Sequence, residues 1–134
     1  LMRQGTRVGL ISRQRNQIVP LLELLDSLGC LAVGHWQQTP DMELAEEDSW
    51  REFSPEALVV NLSTDLEAAL QWLLSLRTRW PAVPMMLLAD VPRPHEAELA
   101  RAHELGPMLS KPVDAACLMR ALESVLNKSK RMVH

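Results

Sequence analysis

The side chains able to do chemistry are few, and their spacing excludes more than it offers. Cys30 and Cys117 lie far apart, each in an apolar run. They read as two buried small hydrophobes in a reducing compartment rather than as a disulfide or a metal pair. Among the histidines (His35, His95, His103 and His134), only His95 and His103 stand two helical turns apart, and they read as surface residues rather than metal ligands. Gly9 stands alone, so there is no glycine-rich phosphate loop. Glu43, Glu46, Glu47 and Asp48 form an acidic run, read as a solvated helix face, with a docking patch as the second reading. Residues 1–22 hold Arg3, Arg7, Arg13 and Arg15 and no carboxylate at all. Two further polar residues stand at the ends of apolar runs, Asn61 after Ala57–Val60 and Lys111 before Pro112.

The chain of 134 residues is long enough for one domain with its own core. Seventeen acids against fourteen bases give a net charge of -3, which disfavours non-specific binding to nucleic acid or to a membrane surface. With four Trp, one Phe and no Tyr, a stacked-base platform is also disfavoured. No apolar stretch approaches the roughly 18 residues of a transmembrane helix. The N-terminus lacks a signal-peptide pattern, so a cytoplasmic location is the expectation. The chain begins with Leu1 rather than Met, which fits a piece of a longer protein.

The elements that must position these residues alternate along the chain. Arg7 to Ser12 predicts a short buried strand. Asn16 is a candidate cap for a helix running through Ile18, Val19, Leu21, Leu22, Leu24, Leu25 and Leu28 at helical spacing, with Gly29 as its stop. Cys30 to Trp36 predicts a second strand. Thr39-Pro40-Asp41 resembles a helix start, with Trp50 and Phe53 as inward contacts. Ala57 to Leu62 and Pro84 to Ala89 are nearly unbroken apolar runs, as expected of strands buried on both faces of a parallel sheet. Between them, Ser63 or Thr64 is expected to cap a helix through Leu66, Leu70, Leu73, Leu74 and Leu76. Pro94 to Leu105 predicts a helix stopped by Gly106, Met108 to Ser110 a very short strand, and Asp114 the cap of a last helix through Cys117, Leu118, Ala121, Leu122 and Val125. Five such alternations require a doubly wound α/β sheet with helices on both faces. The expected boundaries are an extension over 1–6, one domain over 7–127, and a basic tail or linker start over 128–134. Function in such sheets sits at the carboxyl ends of the strands.

Three segments, in order, carry a resemblance to a known family: Pro55-Glu56 leading Ala57 to Leu62, Trp80-Pro81-Ala82-Val83-Pro84 leading Met85 to Ala89, and Leu109-Ser110-Lys111-Pro112 followed by Leu118 and Leu122. From Arg7 to about Leu126 the chain resembles the receiver domain of bacterial two-component response regulators, the CheY-like fold. The resemblance implies a single-domain, five-stranded parallel sheet of flavodoxin or CheY-like order 2-1-3-4-5.

The resemblance also implies where the family's chemistry would sit, and there the chain departs from it. The phospho-acceptor position is Asn61, and an amide cannot act as the carboxylate nucleophile. The metal-binding acids fall on Ser12 and Arg13. The hydroxyl and aromatic switch positions are Ala89 and Met108. Lys111 alone is retained. Asp65 and Asp90 could in principle replace the acceptor, but a metal pair is missing. The expected reading is therefore a degenerate pseudo-receiver: not an enzyme, with no cofactor and no metal. It would be a phosphorylation-independent regulatory module in bacterial signal transduction, as part of a phosphorelay or of a transcription regulator. It would meet a protein partner or a second copy through a face of the fourth helix, fifth strand and fifth helix, with Arg93, His95, Glu98, Arg101, Met108, Met119 and Arg120. The alternative is a sensor of an anion or nucleotide in the strand-end crevice around Lys111, Asn61 and Arg13.

Overall fold

Runs as apolar as Ala57–Asn61 and Met85–Ala89 are stable only with cover on both faces, and that is how they lie: every residue of both strands is buried. The computed structural model describes residues 2–37 and 47–132. Its strands are β1 (Arg7–Ser12), β2 (Leu31–Trp36), β3 (Ala57–Asn61), β4 (Met85–Ala89) and β5 (Met108–Ser110). All are parallel, in the order β2-β1-β3-β4-β5, so the expected fold class and strand order hold. The helices are α1 (Ile18–Ser27), α2 (Glu47–Phe53), α3 (Leu66–Arg79), α4 (Pro94–Ala102) and α5 (Ala115–Met132).

The two-residue period of the strands divides the core into two layers. Ile11, Leu58, Val60, Met85 and Leu87 face a layer closed by Trp50 of α2, by Leu66, Trp72, Leu73 and Leu76 of α3, and by Ala100 of α4. Val8, Leu10, Val59, Met86 and Leu88 face the other layer, closed by Leu25 of α1 and by Leu118 and Leu122 of α5. Gly9 is the contact point between β1 and α2. A Cβ there would come within 2.5 Å of the Trp50 ring and 2.9 Å of Leu58, so only glycine lets the indole lie against the strand backbone.

Several local expectations are corrected. The chain enters α1 through a short 3-10 turn, Arg15–Gln17, and the residue before the helix is Gln17, which makes no side-chain cap, rather than Asn16. Within α1 only Leu25 is fully buried and Val19 is 62% exposed, because a single helix resting on the β1–β2 edge has too little surface beneath it to cover all of its aliphatic residues. Asp65, not Ser63 or Thr64, caps α3 by accepting from Ala68 N at 2.8 Å. Helix α4 stops at Ala102 rather than Leu105, since Glu104 takes a left-handed conformation. The backbone of α5 continues through Lys128 to Met132, where a tail was expected. Cys30 is buried, but Cys117 is only half-buried. Asp114 does cap the last helix, accepting from Cys117 N at 2.8 Å. The helix start at Thr39-Pro40-Asp41, and Glu43 and Glu46 of the acidic run, lie outside the described residues.

Glu96 holds two helices with one carboxylate. It is 3% exposed, and its Oε2 accepts from Leu66 N at the start of α3 at 2.7 Å, while Oε1 accepts from Arg93 N at the start of α4 at 3.0 Å. The backbone N–H of Leu66 is the leading cause that holds its pKa below the ordinary 4.5, and it outweighs the opposing effect of burial. Both helix starts carry unpaired N–H groups and a positive dipole end, which a carboxylate satisfies together.

Glu96→Ala is expected to lower unfolding stability by about 2 kcal/mol in urea titrations, the scale of losing charged hydrogen bonds to buried donors. Because the folded pKa is depressed, Glu96 contributes stability above its ordinary value near 4.5 and loses it as pH falls through the lower folded value. Glu96→Gln should therefore flatten that part of the acid-unfolding profile. A second site tests the turn before β5. Gly106 has φ +93°, and a Cβ would collide with the Met85 carbonyl, whereas the equally left-handed Gly5 has open space. Gly106→Ala is expected to cost several-fold more stability than Gly5→Ala, whose cost is backbone strain of roughly 1–3 kcal/mol.

Candidate functional site

The register of the sheet brings the ends of β1 and β3 level, with Ser12 directly opposite Asn61. Both residues are fully buried. Asn61 Nδ2 donates to Ser12 Oγ at 2.9 Å and to Gln17 Oε1 at 2.9 Å. Ser12 Oγ donates to Gln14 O at 2.7 Å and accepts from Gln14 N at 3.0 Å, which closes the turn leaving β1. Asn61 Oδ1 has no hydrogen-bond donor among the described residues.

Lys111 reaches into this cluster from the end of β5, where its backbone N donates to Ala89 O at 2.8 Å. Its ammonium donates to Leu62 O at 2.8 Å, Gln14 Oε1 at 3.1 Å and Gln17 Oε1 at 3.4 Å. Asp90 Oδ1 stands 3.6 Å away on a carboxylate that is 68% exposed. The three nearer oxygens are neutral. Burial accordingly pushes the Lys111 pKa below its ordinary 10.5, with Asp90 opposing it only in part.

Arg13 does not join this cluster through its side chain. Its guanidinium lies over the Trp72 ring, 5.3 Å from the centroid, and only its backbone N meets Asn61 O, at 3.2 Å. Arg15 stacks likewise on Trp36 at 5.1 Å. Arg3 and Arg7 are taken up at the other end of the sheet by Glu56, at 2.8 Å and 3.9 Å. Thus all four cations of the acid-free stretch have partners elsewhere, and among the described residues the crevice holds one ammonium, that of Lys111.

The remaining sequence-derived positions separate in space. Ala89 lines the end of β4 with a methyl group, and Met108 is half-buried at the far end of β5. Asp65 is engaged as the α3 cap. On the expected interaction face, Arg93, Glu98, Arg101 and Arg120 are exposed and Met119 is half-buried. His95 leans away from it, with Nε2 3.2 Å from Glu67 Oε1 of α3. The residues that the reading of the sequence missed are Gln14 and Gln17. Their signal was available: two amides follow Ser12-Arg13 in the same acid-free loop, where each supplies an oxygen without a charge.

Magnesium, which the resemblance implies for a working receiver, does not fit these residues. A hard divalent cation takes carboxylate and carbonyl oxygens. At the two positions in question the Ser12 hydroxyl is already bonded three times and Arg13 brings a cation. Among the described residues no three His, Cys, Asp or Glu side chains gather as a metal site, and no helix is long and apolar enough to cross a membrane.

The strand order and the helices on both faces are those of the CheY-like α/β fold. The likeness is to a response regulator receiver domain protein from Clostridium thermocellum (TM-score 0.73, 16% identity, covering 95% of this chain and 98% of that one). It extends to the chemotaxis protein CheY4 of Vibrio cholerae (TM-score 0.70, 11% identity, 90% of this chain and 98% of that one). It also extends to NtrX from Brucella abortus (TM-score 0.75, 14% identity), where 96% of this chain spans only 28% of that protein. No protein-family model matches the sequence. No curated protein matches it.

Lys111→Met is expected to cost about 1–3 kcal/mol of stability, since Leu62 O and Gln14 Oε1 lose the lysine as donor, while Gln17 Oε1 keeps Asn61. The wild-type folded state releases the Lys111 proton below pH 10.5, the value in the unfolded chain, so the unfolded state binds more protons in that window. Stability contributed at this site therefore rises as pH climbs through the lowered folded value, and Lys111→Met should remove that rise from alkaline unfolding curves.

Proposed function

We propose that this domain is a phosphorylation-independent receiver: a non-enzymatic regulatory module of two-component signalling that works by protein contact. The observation that carries the reading is the bonding around Lys111. In a site built for phosphoryl transfer, a lysine, a metal and a carboxylate must be left able to meet an incoming phosphoryl group. Here the lysine is held by Leu62 O, Gln14 and Gln17, and the strand-end residue is an amide locked to Ser12 and Gln17. The same bonding disfavours an anion or nucleotide sensor. An incoming anion would have to displace at least one of the oxygens on Lys111 and then face Asn61 Oδ1, an acceptor with nothing to donate.

Incubation with a small phosphodonor such as acetyl phosphate and Mg²⁺, followed by intact mass measurement, is expected to show no gain of a phosphoryl group. Asn61→Asp should gain none either, because Ser12 and Arg13 still offer no metal ligand. A phosphoryl adduct on the wild-type chain would overturn the reading.

A further inference from the structure

Leu62 O, Gln14 Oε1 and Gln17 Oε1 converge on one point, the Lys111 ammonium, at 2.8, 3.1 and 3.4 Å. They arrive from two separate segments, the turn after β1 and the residue after β3. All three are uncharged amide oxygens. Their positions are fixed from outside the lysine. Ser12 Oγ bonds both the N–H and the C=O of Gln14. Asn61, itself fully buried, donates its Nδ2 to the same Gln17 Oε1. The point is enclosed, since the lysine side chain that reaches it is only 9% exposed. The nearest carboxylate, Asp90, stands 3.6 Å away at the solvent rim.

We propose that the strand-end crevice is a site for a singly charged cation of the ammonium or potassium class, which the chain fills with its own lysine. Amide carbonyl oxygens can replace the hydration shell of such an ion, as they do in potassium-selective pores. A small divalent ion is instead held through carboxylates, and it gives up its water reluctantly. The Lys111 ammonium acts as a tethered ion, with one charge and three donors for three oxygens. Because Ser12 and Asn61 hold the glutamines, the ring of oxygens should outlast removal of the ammonium. The crevice then carries a fixed internal charge at any ionic composition, in place of a metal taken up from solution. This inference goes beyond the role proposed for the domain and rests on the geometry of the crevice alone.

The test removes the ammonium and offers a free ion in its place. Lys111→Ala is unfolded in urea at constant ionic strength with ammonium, potassium, magnesium or tetramethylammonium chloride. Tetramethylammonium has the same single charge but is too bulky for the space an ammonium leaves. Ammonium or potassium is expected to raise the urea midpoint of the variant. At ten times the ion's dissociation constant the folded-to-unfolded ratio should rise roughly tenfold, as for any ligand that binds only the folded chain. Wild type, whose site is filled, is expected not to respond. Nor is Lys111→Met, because its methyl group ends where the lysine ε carbon does and leaves no room for an ion. Should Lys111→Ala not fold in buffer, recovery of its helical circular dichroism in ammonium is the same readout, and Lys111→Val, which keeps part of the stem, repeats the titration. No rise with either ion, an equal rise with tetramethylammonium or in wild type, or a larger rise with magnesium would each overturn the proposal. Such a failure without phosphoryl uptake leaves the phosphorylation-independent reading intact. Phosphoryl uptake defeats that reading whatever the cations do.

Discussion

A lysine ammonium whose side chain is 9% exposed must be surrounded by oxygens, and here those oxygens come from amides and a carbonyl. Much of the strand-end architecture follows from this. The turn after β1 has to bring Gln14 and Gln17 inward, which Ser12 arranges by bonding both the N–H and the C=O of Gln14. The amide of Asn61 then serves as a donor where a carboxylate would have been an acceptor only. It bridges Ser12 to the same Gln17 oxygen that Lys111 uses. An isolated carboxylate at that position would have no donor in Gln17 Oε1. The substitutions at Ser12, Arg13 and Asn61 are thus mutually consistent, one polar network rather than three independent losses.

The opposite solution operates a few residues away. Among the described residues, Glu96 is a buried carboxylate satisfied by backbone N–H groups, at the starts of α3 and α4. The loops leaving β3 and β4 flank the crevice, so the helix that follows each is set by a single side chain. The positions of Asp65 and Asp90 derive from this. Asp65 caps α3, and Asp90 remains at the exposed rim, close enough to offset part of the cost of burying Lys111.

Much of the fold was legible in the sequence because its strongest signals are collective. Ala57–Val60 and Met85–Ala89 are apolar throughout, and such runs at this spacing admit few arrangements other than adjacent central strands. Lys111-Pro112 likewise fell where the strand-end crevice lies. The helix starts were less legible. Asn16, Ser63 and Thr64 have the right chemistry for caps, but the caps are chosen by where the chain can turn after a strand, and that is a tertiary matter. The glutamines were missed because a search for charged groups passes over neutral ligands. Glu96 was missed because its partners, Leu66 and Arg93, offer only backbone, which leaves no mark in residue type. Arg13 was placed in the crevice by position alone. The ring of Trp72, a competing site for a guanidinium, comes beside Arg13 only when α3 is packed on the sheet.

The contact of Trp50 with Gly9 makes a missing side chain the device that sets a helix on the sheet. The indole is 1% exposed and rests on the backbone of an inner strand, so α2 is registered to the sheet from its own middle. A methyl group at position 9 would have to lift the ring, and α2 with it, because a rigid indole packed to this density has no flexible end that could swing aside.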